Sequence, residues 1–150
     1  MSTLIQGNEL RTINFGRSVT KATGTLTVAT LPLFTIAGGL VAVTSLIGRV
    51  TTTISTAGTT TLVHNPTTGT TVDLVASTDL GTTDTVAGEI LVVDGLKTST
   101  FVIGALGMQK WPIIMETGQI EQVTGTGANG AITWALTYIP LDNGASVVAA

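Results

Sequence analysis

The stretch Ala131-Ile132-Thr133-Trp134-Ala135-Leu136-Thr137-Tyr138-Ile139 decides the fold class of this 150-residue chain. Small or hydroxyl residues alternate there with large apolar ones, which are Ile132, Trp134, Leu136 and Tyr138. A period of two turns successive side chains to opposite faces of a strand, whereas a helix repeats every 3.6 residues. We therefore predict a β-strand that buries this apolar face in the core and ends at Pro140.

Similar short stretches recur between turn residues along the chain. No window of a dozen residues combines the helical period with helix caps. The other strand candidates are residues 25–29, 33–36, 40–46, 49–54, 60–64, 70–76, 89–93, 101–103, 112–116 and 119–124. Residues 49–54 either continue the strand before Gly48 or pair back on it, and residues 101–103 form either a short strand or a single helical turn. Nine or ten short strands at this spacing are typical of an all-β fold, a single antiparallel β-sandwich, and we expect a jelly-roll-like arrangement.

The composition favours a structural role. Threonine occupies 31 of the 150 positions, against six Lys or Arg and nine Asp or Glu residues. Threonine is β-branched and suits a half-buried strand, and its hydroxyl keeps the outer face wetted without charge. The absence of cysteine excludes a disulfide framework, a thiolate nucleophile and cysteine-ligated zinc. We expect a protein that is not an enzyme and that uses no cofactor.

Residues 125–130 (GTGANG) match the glycine pattern of dinucleotide-binding loops. That pattern works where its glycines lead from a strand into a helix, whose first turn holds the pyrophosphate. Here the alternating segment from Ala131 follows instead. We interpret residues 125–130 as a glycine-rich hairpin loop.

The candidate titratable residues do not form a recognisable catalytic or metal-binding motif. His64 is the sole histidine, and we interpret it as a strand residue with a hydrogen-bonded or exposed ring. Four aspartates, at positions 73, 79, 84 and 94, lack the dense spacing of a calcium loop and are interpreted as turn formers. We therefore predict no catalytic, cofactor-binding or metal-ligating residue, and a hydrolase with a buried acid pair remains as a third function class.

Charge divides the chain into two predicted parts. Residues 1–23 carry +2, from Arg11, Arg17 and Lys21 against Glu9, and residues 24–150 carry −5, which together give the net charge of −3. Residues 1–23 show no sustained period, so we predict an extended N-terminal arm followed by a sandwich body over residues 24–150. The cations are too few, with too few interleaved aromatic residues, for nucleic-acid binding, and contact with a partner protein is favoured.

The body is unusually apolar for a chain with so few charges. Hydrophobic residues make up 43% of the chain, and the mean hydropathy is +0.52. Such a surface is typically covered by a partner chain, and we single out Trp111 and Met115 as candidate anchors at a subunit contact. Polar and glycine residues interrupt the most apolar window, residues 31–50, so no membrane span is predicted. The first residues do not resemble a secretory signal peptide, and the product is expected to stay where it is made.

Two segments resemble small virion proteins of tailed bacteriophages. They are residues 132–147 (ITWALTYIPLDNGASV) and residues 33–48 (LFTIAGGLVAVTSLIG) followed by a threonine-rich hairpin, and with the composition the similarity extends over residues 24–147. The group that the chain resembles most is the head decoration, or cement, proteins.

The resemblance implies a homotrimer on the outside of the phage head that stabilises the capsid and is made in the host cytoplasm. It implies the major capsid protein as partner, with Arg11, Arg17 and Lys21 as the capsid-contact residues of the arm. No nucleic acid, membrane or small-molecule substrate is expected to bind. The alternative within this group is a tail component or a host-surface adhesin, which is also rich in β-structure.

Overall fold

The computed structural model describes residues 7–95, 99–104, 109 and 111–150. Two antiparallel six-stranded sheets enclose one apolar core, which confirms the predicted all-β sandwich. The elements are α1 (Gly7–Phe15), β1 (Arg17–Thr25), β2 (Ala29–Ala37), β3 (Val41–Thr52), β4 (Thr59–Pro66), β5 (Val72–Asp73), β6 (Thr78–Asp79), β7 (Ile90–Val92), β8 (Val102–Ile103), β9 (Ile113–Met115), β10 (Gly118–Thr124), β11 (Ala131–Pro140) and β12 (Ser146–Ala149). The described residues thus form twelve strands rather than nine or ten, and the jelly-roll arrangement stays a prediction.

The strand order of each sheet differs from the order of the strands in the chain. Sheet A has the order β1-β11-β3-β7-β8, with β9 also paired to β3. Sheet B has the order β12-β2-β10-β4-β5, with β6 also paired to β4. The internal strands β10 and β11 follow each other in the chain but lie in different sheets. The connection over residues 125–130 therefore crosses the sandwich, and its interpretation as a hairpin loop is wrong, although a strand does follow it.

The core forms where the inward faces of the two sheets meet, and the predicted inward face of β11 is confirmed. Ile132, Trp134 and Leu136 are fully buried, and Tyr138 is 3% exposed. The Trp134 ring packs against Phe101, with ring centroids 5.7 Å apart. Because protein interiors are close-packed, this large ring fixes the shape of the surrounding core.

Trp134 also joins the two sheets by a buried hydrogen bond. Its indole Nε1 donates to Gln122 Oε1 on β10 at 2.7 Å, and Gln122 Nε2 donates to the Thr124 hydroxyl at 3.0 Å. A buried amide is costly unless its polar atoms are paired. The sheet B residue is therefore tolerated in the core because the sheet A indole supplies its donor.

Strand β3 decides between the two alternatives for the run after Gly48, which continues the strand rather than pairing back. It is continuous from Val41 to Thr52. A Cβ atom at Gly48 would lie 2.8 Å from the Trp134 ring, so glycine makes room for the indole on the neighbouring strand rather than forming a turn.

The predicted extended arm is also corrected by the structure. Residues Gly7–Phe15 form a helix, and Arg17–Thr25 form an edge strand of sheet A, so a domain boundary after residue 23 would divide β1. Strand β1 pairs with β11 from Arg17 opposite Tyr138 to Ala22 opposite Thr133. Backbone pairing to the free edge of β11 holds this strand, although Val19 is its single large apolar residue. The sequence pattern missed it because edge strands need little apolar side-chain area.

Two further segments differ from the predicted strands, one between β1 and β2 and one after β11. Most of the strand predicted over residues 25–29 is the connection between β1 and β2, held by the buried Leu26, whose amide donates to Gly130 O at 2.9 Å. Strand β12 was not predicted, and it pairs with β2 at the edge of sheet B.

Candidate functional site: the outer faces of the two sheets

The outer face of sheet A is defined by the residues that alternate with the buried ones. Across β1, β11 and β3 it has three rows in register: Ser18–Thr137–Ser45, Thr20–Ala135–Ile47 and Ala22–Thr133–Arg49. Arg49 is the sole charged residue in these rows. The rest of the face carries hydroxyl, methyl and Ile side chains, so little charge would have to be desolvated if another surface covered it.

An apolar row continues this face at the end where β11 finishes. Ile139 on β11 pairs with Ala42 on β3, and Ala42 pairs with Ile114 on β9. Ile139 is 41% exposed and Ile114 is 57% exposed. Two large β-branched side chains thus remain in solvent on the same face, flanking one alanine.

Helix α1 lies beside this apolar row. Leu10, Ile13 and Phe15 are all exposed, with Phe15 at 70%. The end of the helix and the sheet enclose a groove of about 300 Å³, which is lined by Asn14, Phe15, Thr44, Ser45, Thr137 and Ile139. Phe15 and Ile139 form the apolar walls of this groove, and its other lining residues are polar and uncharged. We call the outer rows, the apolar row and α1 together the α1 face.

The outer face of sheet B has a different character. Glu121 on β10 pairs with Val63 on β4, and Val63 pairs with Asp73 on β5, so two carboxylates occupy one row. Asn65 Nδ2 donates to Glu121 Oε1 at 3.3 Å. The Thr71 hydroxyl donates to Asn65 Oδ1 at 3.2 Å. Asp73 is exposed and Glu121 is 9% exposed, so the charges of this row are acidic, and its polar groups bind one another.

Two of the three cations predicted to contact a capsid, Arg17 and Lys21, lie on the same side of β1. Lys21 faces the open edge of the sandwich, where its Nζ donates to the carbonyl oxygen of Ala150 just beyond β12. Arg17 lines an open pocket with residues 140–146. The backbone of Arg11 belongs to α1, and its side chain lies outside the described residues. An inward-facing lysine at a sheet edge discourages pairing with another strand, which gives Lys21 a role within its own chain.

The two predicted anchor residues separate in the structure. Trp111 is 59% exposed and remains available at the surface. Met115 is 2% exposed and belongs to the core, so its prediction as a surface anchor is wrong. On β9 the alternation turns Met115 inward and Ile114 outward. The outward residue of this pair is therefore Ile114, which the sequence pattern did not predict as an anchor.

His64 is a strand histidine with a hydrogen-bonded ring, which is one of the two predicted alternatives, and it is buried. It lies on β4 and is 8% exposed, and its Nε2 is 3.1 Å from the carbonyl oxygen of Glu116. Burial lowers the pKa of His64 below 6.5, and the hydrogen bond to Glu116 and the charge of Glu116 partly oppose this shift. The neutral imidazole is thus favoured in the folded state.

Asp79 organises a turn, as predicted. Its Oδ1 accepts hydrogen bonds from the amides of Gly81 at 2.9 Å, Thr82 at 3.0 Å and Gly58 at 3.2 Å. Its Oδ2 accepts from the Thr82 hydroxyl at 2.8 Å. The hydrogen bond from Gly81, followed by those from Thr82, lowers the pKa of Asp79 to about 2. A carboxylate surrounded by donors is a poor ligand for a cation.

The glycine-rich connection over residues 125–130 is held by an asparagine rather than by a ligand. Asn129 Oδ1 accepts from the amides of Ser55 and Thr56, both at 3.1 Å, and Asn129 Nδ2 donates to Ser55 Oγ at 3.0 Å. These contacts join the crossing between the sheets to the loop after β3.

The described residues contain no group of three or more His, Asp or Glu side chains placed to hold a metal ion. Over the same part of the chain, no helix is long and apolar enough to cross a membrane. Comparison of the chain with protein-family models, with curated proteins and with solved structures gives no match. The outer surfaces of the two sheets are thus the features on which a function can be argued.

Proposed function

We propose that this protein is a structural component of a bacteriophage particle, a decoration protein that binds the outside of the head as a homotrimer and stabilises it. The proposal includes a jelly-roll-like sandwich and the absence of enzyme activity. It rests on the resemblance of residues 33–48 and 132–147 to small virion proteins. The major capsid protein is the proposed partner.

The observation that carries the proposal is that these two segments form one structural unit. The connection from β2 to β3 and the connection from β11 to β12 both cross between the sheets, and they lie against each other. Leu141 N donates to Leu40 O at 2.9 Å, and Leu40 N donates to Asp142 Oδ2 at 2.7 Å. Gly38, with φ of +78°, permits the close approach of the Gly144 carbonyl. The resemblance therefore covers a double corner of the sandwich rather than two unrelated strands.

The distribution of polar groups also supports a binding role. Asp79 and Asn129 connect loops, and His64 contacts a main-chain carbonyl, so their polar atoms are used within the fold. The α1 face and the acidic face of sheet B remain as two broad surfaces of opposite character. A protein that joins copies of itself to a shell needs such separate surfaces.

The experiment is a binding assay with heads of the encoding phage that lack this protein. We expect the purified chain to sediment with these heads and to raise the temperature at which they release DNA. Labelled antibody on intact virions should mark the head. Label on the tail would favour the tail-component or adhesin alternative, and a protein absent from virions would contradict both.

The contribution of the N-terminal segment requires a truncation that respects the fold. Removing residues 1–21 would delete most of β1 and expose the edge of β11. Removing residues 1–15 ends the deletion before β1. We expect this shorter deletion to leave the sandwich folded and to lower head occupancy, and unchanged occupancy would exclude α1 from capsid contact.

A further inference from the structure

The α1 face is large enough to form a subunit contact. Strands β1, β11 and β3 contain 9, 10 and 12 residues. Three adjacent strands of this length present a surface roughly 30 Å long and 15 Å wide. With the nine-residue helix beside it, the flat area is on the order of 600 Å², which approaches the roughly 800 Å² that each partner buries in a stable protein interface.

Helix α1 is short, and its described apolar side chains are exposed. It is nine residues long, and isolated helices shorter than about 12 residues are marginal in water. Its apolar residues Leu10, Ile13 and Phe15 all remain exposed. A surface that covered these side chains would therefore hold the helix as well as bury the apolar row.

We propose that the α1 face is the surface through which copies of this chain associate, and that its occupant is a second copy. The face offers both projecting apolar side chains on α1 and a groove of about 300 Å³ between Phe15 and Ile139. The projecting side chains of one copy can thus enter the groove of the next copy, a head-to-tail contact that can close into the ring of a homotrimer. This inference rests on the self-association within the proposed function and names the surface that makes it.

The outer face of sheet B provides the contrast that makes the inference specific. Its row Glu121–Val63–Asp73 holds two carboxylates, with Asp73 exposed and Glu121 9% exposed, and two copies of this face would bring like charges into one contact. Like-charge juxtaposition opposes association. Arg49 lies at the far end of the rows of the α1 face, helix α1 adds Glu9 and Arg11, and the other residues are uncharged, so the few charges of this face are of both signs.

The test compares one substitution on each face. Ile139 and Val123 are both β-branched, lie on internal strands and are 41% and 36% exposed. Ile139→Glu puts a carboxylate in the proposed contact, and Val123→Glu puts one on the opposite face as the matched control. Sedimentation equilibrium of the full chain across a wide concentration range gives the mass and the dissociation constant of each variant.

We expect the wild-type chain and Val123→Glu to associate to the same multiple of 15.3 kDa. Ile139→Glu should weaken association by about 30-fold or more, because an unpaired charge would be buried in the contact. Circular dichroism and the unfolding midpoint verify that each variant is folded. If Ile139→Glu does not fold, Ile114→Glu in the same apolar row replaces it.

Three outcomes would overturn the inference: a monomeric wild-type chain at high concentration, wild-type association of the folded Ile139→Glu or Ile114→Glu variant, or equal weakening by Val123→Glu. Head binding is measured separately. Association through the α1 face without head binding would leave the inference standing and contradict the capsid proposal. Head binding by a monomeric wild-type chain would contradict the inference and leave the proposed binding to the capsid standing.

Discussion

Strands β10 and β11 are neighbours in the chain and are both internal strands, β10 at the centre of sheet B and β11 beside the edge strand of sheet A, yet they distribute polar residues differently. Strand β11 turns Ile132, Trp134 and Leu136 inward and uncharged residues outward. Strand β10 turns Gln122 and Thr124 inward and Glu121 outward. The polar groups of β10 are hydrogen-bonded, so their burial is tolerated. The inward face of β11 is apolar, and its outer face carries no charge.

The difference shows that a buried polar group of sheet B depends on a donor from sheet A. A buried amide on β10 is tolerated because Trp134 on β11 donates to it. The outward side of β10 binds its own neighbours through Asn65 and Glu121. The outward side of β11 has no comparable charged network, which is the reason for proposing it as the surface that a second copy covers.

The largest expected effect comes from the inward face of β11. Trp134→Ala should lower the free energy of unfolding by about 3–5 kcal/mol, because it leaves a large cavity and removes the donor to Gln122. Denaturant unfolding measures the change. Val123→Ala on the outer face of β10 is the control, with an expected change within about 0.5 kcal/mol. A loss at Trp134 no larger than this control would contradict the placement of the indole in the core.

A smaller effect should separate the hydrogen bond between the sheets from the volume of the indole. Trp134→Phe retains an aromatic ring but leaves Gln122 Oε1 without its donor, which costs about 1–3 kcal/mol beyond the lost volume. Adding Gln122→Leu should recover part of this loss, since both polar partners are then absent. Unfolding free energies of the two single variants and the double variant give the coupling. Strict additivity would show that the bond does not join the sheets.

His64 lies on β4 and pairs with Ile120 of β10. It should make stability depend on pH in the range where histidine titrates. Its folded-state pKa lies below 6.5, so the unfolded state binds the proton more readily. The contribution of the neutral ring is fully present above pH 6.5 and declines as the pH falls from there through the folded-state pKa. Urea unfolding of the wild type at pH 7.5 and 5.5 should show this decline, and His64→Gln should remove it. Because His64 is the sole histidine, an equal decline in the variant would exclude it as the cause.

The smallest effect is expected at Asp79, at the edge of sheet B. Its pKa falls from 3.8 to about 2 on folding, so its stabilising contribution is present above pH 3.8 and is lost as the pH falls through 2. The melting temperature of Asp79→Asn should be below that of the wild type at neutral pH, and the gap should close in acid. Asp84→Asn in the same loop region is the control. A gap that does not change with pH would show that charge on Asp79 does not matter to the turn.

Several parts of the fold could be read from local alternation. Strands β4, β10 and β11 were predicted within one or two residues of their bounds, because each pairs an inward face with an outward face. Strand β1 and helix α1 were missed. The former is a polar edge strand held by backbone pairing, and the latter is shorter than the dozen residues over which a helical period can be recognised.

The candidate surface depended on information that alternation does not contain. The sequence directed attention to Met115, but its neighbour Ile114 is the exposed residue, since pairing of β9 with β3 fixes which side faces out. Lys21 was predicted to contact another protein, and the approach of β1 to β12 turns it toward its own chain. The exposed Leu10 and Ile13 indicate a contact surface only because α1 lies beside the apolar row of sheet A.

The sequence by itself determined the strand-forming period, the buried face of β11 and the lack of cysteine chemistry, because these follow from local side-chain order and composition. Only the tertiary structure decided which sheet each strand joins and which outer face stays uncharged. Alternation looks the same in either sheet, whereas the crossing from β10 to β11 is fixed by contacts such as that of Asn129 with Ser55, which lie far apart in the chain.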